Sequence, residues 1–133
     1  MIDRALRDSV RRRAGNRCEY CHLRQEHVES NHHVEHIIPR KHGGSDEIAN
    51  LALACDRCNL RKGTNLSGVD PRSGSVMPLF HPRKDSWSEH FRVDSARIRG
   101  LTAIGRATVE TLGMNEARRV ELRLELLATG DWE

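Results

Sequence analysis

Aromatic residues and long apolar runs are both scarce in this chain of 133 residues. Phenylalanine, tryptophan and tyrosine together make up 4% of it, so aliphatic side chains or a bound metal must stabilise most of the core. No apolar stretch approaches the length of a membrane-spanning helix. The first residues, Met1 to Arg4, lack the hydrophobic region of a signal peptide. We therefore expect a cytoplasmic protein that does not associate with membranes.

The sequence also lacks internal repeats and low-complexity tracts. It contains no helix-turn-helix pattern and no extra zinc finger, so no element for recognising a particular nucleotide sequence is evident. A net charge of +3 permits nucleic-acid binding without establishing it. Basic residues bracket the cysteine-rich region, at Arg11, Arg12, Arg13, Arg17, Arg57, Arg61 and Lys62. Either a nucleic-acid contact or an ordinary solvated surface explains this distribution.

Four cysteines form two Cys-x-x-Cys pairs, Cys18 with Cys21 and Cys55 with Cys58. One such turn supplies two thiolates to a tetrahedral ion, and two turns close the site without leaving a position for water. This spacing predicts a structural Zn(II) site. The alternatives are free buried thiols or a redox pair, although a redox pair usually occurs once, beside a βαβ pattern that this sequence lacks.

Hydrophobic periodicity predicts an α+β fold. A first helix begins after Asp3 and ends at Gly15, and two short strands lie between the cysteine pairs. We expect residues 1–66 to form one module. Residues 67–133 form a C-terminal extension, with a surface connection over 64–86, a weak hairpin and two helices, packed on the module as part of the same domain. In the last helix, one face carries Ala117, Val120, Leu124 and Leu127, widened by Leu122 and Leu126, and its leucines belong either to the core or to a dimer face.

The residues between and after the cysteine pairs follow a distinctive order. It comprises His33-Val34-Glu35-His36-Ile37-Ile38-Pro39, Gly43-Gly44, Asn50-Leu51 and Cys58-Asn59-Leu60-Arg61-Lys62. This order resembles the HNH endonuclease family, in its branch with four zinc-binding cysteines, over about residues 14–65. The resemblance implies a ββα-metal (His-Me finger) module stapled by the four-cysteine zinc site. It also implies that Asn50 holds the catalytic histidine segment in place across the hairpin.

Phosphodiester hydrolysis requires a base for water and a cation for the phosphate. Neutral imidazole accepts a proton near neutral pH, so His36 is the candidate general base. Glu35 and Asn59 offer the hard oxygen ligands that suit Mg(II) or Mn(II). Two positions depart from the family pattern: Glu35 replaces a common Asp, and Asn59 stands where the family name implies His. The neutral amide ligand favours Mg(II) or Mn(II) over softer metals.

Further residues are candidates for nucleic-acid contact. Lys62 lies three residues after Asn59 on the predicted helix and can reach a phosphate. Arg57, Arg61 and His42 are weaker candidates, each with an ordinary surface role as the alternative. His33 shares a strand face with Glu35. It either contacts the metal or a phosphate, or has an ordinary surface or packing role.

The sequence thus predicts a metal-dependent HNH endonuclease that hydrolyses phosphodiester bonds in nucleic acid, with DNA favoured by the resemblance. One alternative is a non-catalytic zinc-stapled module that only binds nucleic acid. Another is a structural zinc protein that binds protein partners through its C-terminal leucines. The oligomeric state is left open.

Overall fold

The computed structural model describes residues 2–132, which divide into two compact units. The first extends to Leu66 and includes His81–Asp85, and the second contains Ser67–Phe80 and the chain from Ser86 onward. That the whole chain forms one domain stays a prediction. In the described chain, no helix combines the length and apolar character needed to cross a membrane.

The first unit contains two helices, α1 (Arg4–Ala14) and α2 (Asp56–Lys62). Between them lies an antiparallel hairpin of two strands, β1 (His33–His36) and β2 (Leu51–Ala54). Single 3-10 turns lie at Gln25–His27, Arg40–His42 and Ile48–Asn50.

Helix α1 has the ends that its sequence predicts. The Asp3 carboxylate accepts a hydrogen bond from the Leu6 amide at 2.8 Å, which caps the first turn. Gly15 ends the helix in the left-handed region, at φ 64°. Val10 on its inner face packs with Leu51 and Leu53 of β2 in a small aliphatic core. The helix therefore supports the strand that leads into the second cysteine pair.

The hairpin pairs each end of β1 with the opposite end of β2, so that His33 faces Ala54 and His36 faces Leu51. Along β1, Glu35 is buried while His33 is exposed and His36 is partly exposed. Burial therefore differs between His33 and Glu35, although strand geometry places these two residues on one face. The strand–loop–strand–helix order is confirmed.

The second unit is also mixed α+β. It contains β3 (Ser67–Val69), β4 (Val76–Pro78), α3 (Trp87–His90), β5 (Phe91–Asp94), β6 (Arg97–Gly100), α4 (Ala103–Thr111) and α5 (Ala117–Ala128). Strands β3 and β4 form one antiparallel hairpin and β5 and β6 another. The predicted hairpin and the two C-terminal helices are confirmed, and the α+β class holds for both units.

The expected connection over residues 64–86 is wrong in part, because it contains the β3–β4 hairpin. Asp70 stabilises the turn between these strands, since its carboxylate accepts from the Arg72 amide and the Ser73 hydroxyl. The abundance of glycine, proline and serine predicted the turn correctly. It did not predict the two strands beside the turn, which have only three residues each.

The apolar face of α5 is only partly buried. Leu124 is 52% exposed, whereas Arg119 and Arg123 are buried. The Arg119 guanidinium donates to the carbonyl oxygens of Leu112 and Gly113, beyond the end of α4. Hydrogen bonds to backbone carbonyls make an inward arginine favourable, and a hydrophobic pattern alone does not detect them.

Candidate functional site

The four cysteines converge on one buried point. The Sγ atoms of Cys18, Cys21, Cys55 and Cys58 all lie within 4.8 Å of one another, and the Cys21 and Cys55 sulfurs are 3.6 Å apart. Four thiolates about 2.3 Å from a tetrahedral Zn(II) would have sulfurs about 3.8 Å apart. A disulfide needs about 2.05 Å. The donor set and its spacing therefore fit a tetrahedral cation.

Local backbone geometry builds each half of this cluster. The Cys21 amide points at the Cys18 sulfur at 3.5 Å, and the Cys58 amide points at the Cys55 sulfur at 3.4 Å. Cys55 also caps the start of α2, where the helix dipole favours a negative sulfur. Burial raises the pKa of the Cys18 and Cys58 thiols well above their ordinary value. A bound cation would offset the cost of holding these groups as thiolates in the interior.

A separate cleft of about 400 Å³ lies along β1 and the start of the following loop. Its lining includes the predicted reactive residues Glu35, His36 and Asn59, and also His33. The Asn59 side chain makes no hydrogen bond within the described residues, so its amide oxygen is available to a ligand. The structure therefore places His36, Glu35 and Asn59 along one cleft, and their roles as base and metal ligands stay predictions.

His36 is held by a carboxylate that the sequence did not indicate. Its Nε2 donates to Asp46 Oδ1 at 2.7 Å, and the His36 side chain is 19% exposed. Arg40 binds the same carboxylate, with Nη2 at 2.8 Å from both oxygens and Nε at 3.1 Å from Oδ1. One imidazole nitrogen is thereby engaged, which leaves Nδ1 as the remaining site for a proton.

Asn50 closes the loop that carries Asp46. Its side-chain oxygen accepts from the Ile38 amide at 2.9 Å, and its amide nitrogen donates to the carbonyl oxygens of Ile38 and Ser45. A Cβ on Gly44 would lie 1.6 Å from the Ile38 oxygen, so the loop needs glycine there. Asn50 thus connects the segment after His36 to the loop around Ser45, and its role in holding a catalytic histidine stays a prediction.

Glu35 lies in a buried polar triad with Tyr20 and Lys62. The Tyr20 hydroxyl donates to Oε2 at 2.6 Å, and Lys62 Nζ lies 3.4 Å from Oε1. Burial raises the pKa of Glu35, and the nearby Lys62 ammonium counteracts part of that rise. Because Tyr20 belongs to the Cys18–Cys21 turn, the four-cysteine cluster is joined to the strand that carries His36.

Lys62 has surroundings different from those of a surface phosphate contact. Only 2% of the residue is exposed, and Nζ donates to the carbonyl oxygens of His36 and Ile37 at 3.2 and 3.0 Å. With the Glu35 contact, the three donors of the ammonium all have partners. Its contact with a phosphate stays a prediction, which would require one of these partners to be exchanged.

The other predicted contact residues lie on the surface. Arg57 and Arg61 are exposed on α2. The exposed His42 has Nε2 at 3.0 Å from the Thr64 oxygen. His33 pairs with Asp56 at 3.0 Å, at the cleft margin. These positions are compatible with phosphate contact, which stays a prediction for each of them.

Tyr20, Arg40 and Asp46 are the site residues that sequence reasoning missed. Each contacts its partner across a loop, so no fixed spacing connects them to His36 or Glu35. One available signal was the position of Asp46 in the loop directly before Asn50, where a polar side chain can turn back toward the hairpin.

Comparison with known proteins agrees with this geometry. Residues 18–65 match the HNH endonuclease family, so the chain carries an HNH endonuclease family domain with the ββα-metal fold and a four-cysteine cluster consistent with the zinc-binding branch. Over 118 residues the chain is 28% identical to the Septu protein PtuB of Bacillus thuringiensis. That alignment covers 87% of this chain but 43% of the relative, so the chain spans less than half of the relative's length. No solved structure matches.

Proposed function

We propose that this protein is a metal-dependent endonuclease that cuts phosphodiester bonds in DNA. The observation that carries the proposal is the cleft in which His36, Glu35 and Asn59 lie together. The family match over the same residues supports it, since an HNH domain implies nucleic-acid binding and a nuclease reaction.

His36 is the general base in this proposal. Its Nδ1 takes a proton from a water molecule, and the water oxygen attacks phosphorus. The bond from phosphorus to the leaving oxygen breaks with its electron pair on that oxygen, which then takes a proton from solvent water. Glu35 and Asn59 would hold Mg(II) or Mn(II), which when bound would neutralise charge on the phosphate and stabilise the leaving oxygen. Asn50 keeps the loop closed behind His36.

The four cysteines hold a structural Zn(II) in the proposal. Four thiolates would satisfy the ion and leave no position for a substrate, so the ion would stabilise the module and would take no part in the reaction. Glu35 contacts this half of the module through the Tyr20 hydroxyl rather than through a cysteine, which keeps the two metal sites distinct.

DNA binds through its phosphates rather than through base recognition. Arg57 and Arg61 project from α2 and His42 lies on the loop after β1, so positive and hydrogen-bonding groups border the hairpin. We expect binding that weakens steeply with salt and shows little sequence preference. Lys62 joins these contacts if substrate binding draws it from its carbonyl partners.

The test is cleavage of supercoiled plasmid DNA by the zinc-loaded protein with Mg(II), Mn(II) or no added divalent ion. Nicking that requires the added ion and stops with a chelator supports the proposal. Salt-dependent DNA binding without cleavage under any of these conditions would contradict it, and would favour the non-catalytic binding module.

A further inference from the structure

Asp46 has no assigned role in the proposed reaction, yet its carboxylate is the hydrogen-bond partner of the His36 ring, at 2.7 Å. We propose that Asp46 is a positioning residue that fixes His36 in the tautomer protonated at Nε2, so that Nδ1 is the atom that accepts the proton from water. The catalytic part of this inference rests on the proposed function, whereas the tautomer can be measured separately.

The hydrogen-bond chemistry at this contact allows one assignment. A carboxylate accepts hydrogen bonds and donates none, so the 2.7 Å contact requires a proton on Nε2 of His36. A neutral imidazole carries a single N–H, and its other nitrogen then bears the lone pair. The neutral ring is in this way prepared to act as a base through Nδ1.

Arg40 sets the orientation of the carboxylate. It contacts both oxygens through Nη2 and one of them through Nε, a fork that fixes the plane of the Asp46 side chain. The Arg40 side chain is 60% exposed and that of Asp46 is 30% exposed. An ion pair so accessible to water contributes little to stability, so an orienting role accounts for the arrangement better than a stabilising one.

The backbone loop supplies the third part of the arrangement. Asn50 binds the chain on both sides of this loop, at Ile38 and Ser45, and Gly44 lets the two segments approach closely. Asp46 directly follows Ser45, so the position of its carboxylate beside His36 is set by the same contacts. Asn50 and Asp46 would therefore act as one unit.

Asp46→Asn tests the inference because an amide cannot satisfy both neighbours. With its oxygen toward His36, its NH₂ group faces the guanidinium donors of Arg40. With its NH₂ group toward His36, it donates to Nε2 and imposes the opposite tautomer. We expect this variant to lose at least about 10- to 100-fold in cleavage rate, the usual effect of removing an outer partner that orients a histidine at an active site.

Two further variants test whether the effect on the cleavage rate comes from the negative charge of Asp46 and from its position beside His36. Asp46→Glu keeps the carboxylate and should retain more activity than the nearly isosteric Asp46→Asn. Glu47→Gln removes the same charge one residue further along the loop, where no contact to His36 occurs within the described chain, and should cleave like the wild type. DNA affinity measured for each variant distinguishes a change in binding from a change in rate.

Ring nitrogen resonances of His36, measured by ¹⁵N NMR at about pH 8 where imidazole is ordinarily neutral, give the second readout. We expect Nε2 to be protonated in the wild type and the population to shift toward Nδ1–H in Asp46→Asn. Wild-type cleavage together with an unchanged rate and tautomer in Asp46→Asn would overturn the inference. Absence of cleavage by the wild type would overturn the proposed function instead, and the resonances would still decide the Asp46 contact.

Discussion

Lys62 shows how a small module can keep a lysine in its interior. Its ammonium group has two carbonyl partners on the segment after β1 and a carboxylate partner in Glu35, so the charge is paired and every donor is used. The lysine thereby fixes the C-terminal end of α2 to the strand that carries His36. Burial of a lysine beside a candidate metal ligand is thus explained by the contacts of the hairpin.

We predict that Lys62→Met destabilises the protein by about 3–5 kcal/mol, because it leaves the buried Glu35 carboxylate without its cation and two carbonyls without a donor. Urea unfolding of the zinc-loaded protein measures this change. Arg57→Met on the same helix is the control, and its exposed position predicts a change within about 0.5 kcal/mol. The double variant Glu35→Gln/Lys62→Met should cost less than the sum of the single changes, and additivity of the two would contradict the pairing.

The candidate residues that line the cleft could be predicted from the sequence, but their hydrogen-bond partners could not. His36, Glu35 and Asn59 lie at the spacing of a known motif, and the structure brings all three to one cleft. Tyr20 and Asp46 contact them from other parts of the chain, through distances that depend on how the loops fold. A residue type at a fixed spacing can be recognised before folding, whereas a contact across a loop cannot.

At the scale of elements, the loop between β1 and β2 is the part of the fold on which the site depends most. It is closed by the Asn50 side chain, and it carries Arg40 and Asp46 on its course. Small changes in its path would move the Asp46 carboxylate relative to His36. Activity should therefore respond to backbone changes that leave the reactive side chains intact.

We predict that Gly44→Ala lowers the cleavage rate by at least about tenfold, because its Cβ would overlap the Ile38 carbonyl and displace the loop. Gly43→Ala is the matched control. Gly43 has φ +84° but nothing within 4 Å of an added Cβ, so alanine there costs stability of about 1 kcal/mol without a clash. Equal rates for the two variants, measured on the same plasmid substrate, would argue against control of the site by this loop.

In the second unit, Asp70 links the β3–β4 turn to α4. Its carboxylate accepts from Arg106 Nε and Nη2, both at 2.9 Å. Hydrogen bonding from the Arg106 guanidinium holds the pKa of Asp70 well below its ordinary value, although desolvation opposes this. A carboxyl group with a lowered folded-state pKa stabilises the protein above its unfolded-state pKa, and this contribution is lost as the pH falls through the folded-state value.

The corresponding prediction concerns the difference in stability between the wild type and Asp70→Asn. We expect the wild type to be the more stable near neutral pH, and the difference to narrow as the pH falls below about 4, the ordinary pKa of aspartate. Urea midpoints of both proteins across this range measure it. A stability difference between the two proteins that stays constant with pH would show that the Asp70 charge does not contribute to the stability of the fold.

The bounds of an element could be predicted where its own residues determine them, but the face that it buries could not. Helix α1 has an Asp cap and a Gly end, and its bounds follow directly from these residues. The face of α5 did not follow from its leucines, because Arg123 donates to the Ala96 carbonyl and lies over the ring of Trp132. Such contacts depend on what the rest of the unit places opposite the helix.

At the scale of the whole molecule, the first unit has a small aliphatic core, with Val10, Leu51 and Leu53 as its buried cluster. Two of the four cysteines precede the hairpin in the chain and two follow it, so a bound ion would connect the segments on both sides of the hairpin. Such an ion would stabilise the unit where apolar packing is limited. Tyr20, in the first cysteine turn, is hydrogen-bonded to Glu35, which lines the cleft, so loss of the ion would also disturb the cleft. Metal loading and activity should therefore be coupled.

We predict that removing zinc with a chelator unfolds the first unit, and that adding zinc restores it. Tyr20 is the sole tyrosine of the chain and is fully buried, so its ultraviolet absorbance should shift toward that of an exposed ring. Trp87 and Trp132 both lie in the second unit, and their fluorescence should change in parallel if the chain is one domain, as predicted. An unchanged Tyr20 signal after complete zinc loss would contradict a structural role for the ion.

The most direct test of the central claim is the rate at which zinc-loaded His36→Ala nicks supercoiled plasmid DNA in Mg(II) or Mn(II). His27→Ala, outside the cleft, is the control, and zinc content and urea midpoint verify that both variants are folded. Loss of a general base predicts a fall of at least about 100-fold for His36→Ala and none for His27→Ala. Nicking by His36→Ala at the wild-type rate would contradict the assignment of the reaction to this cleft.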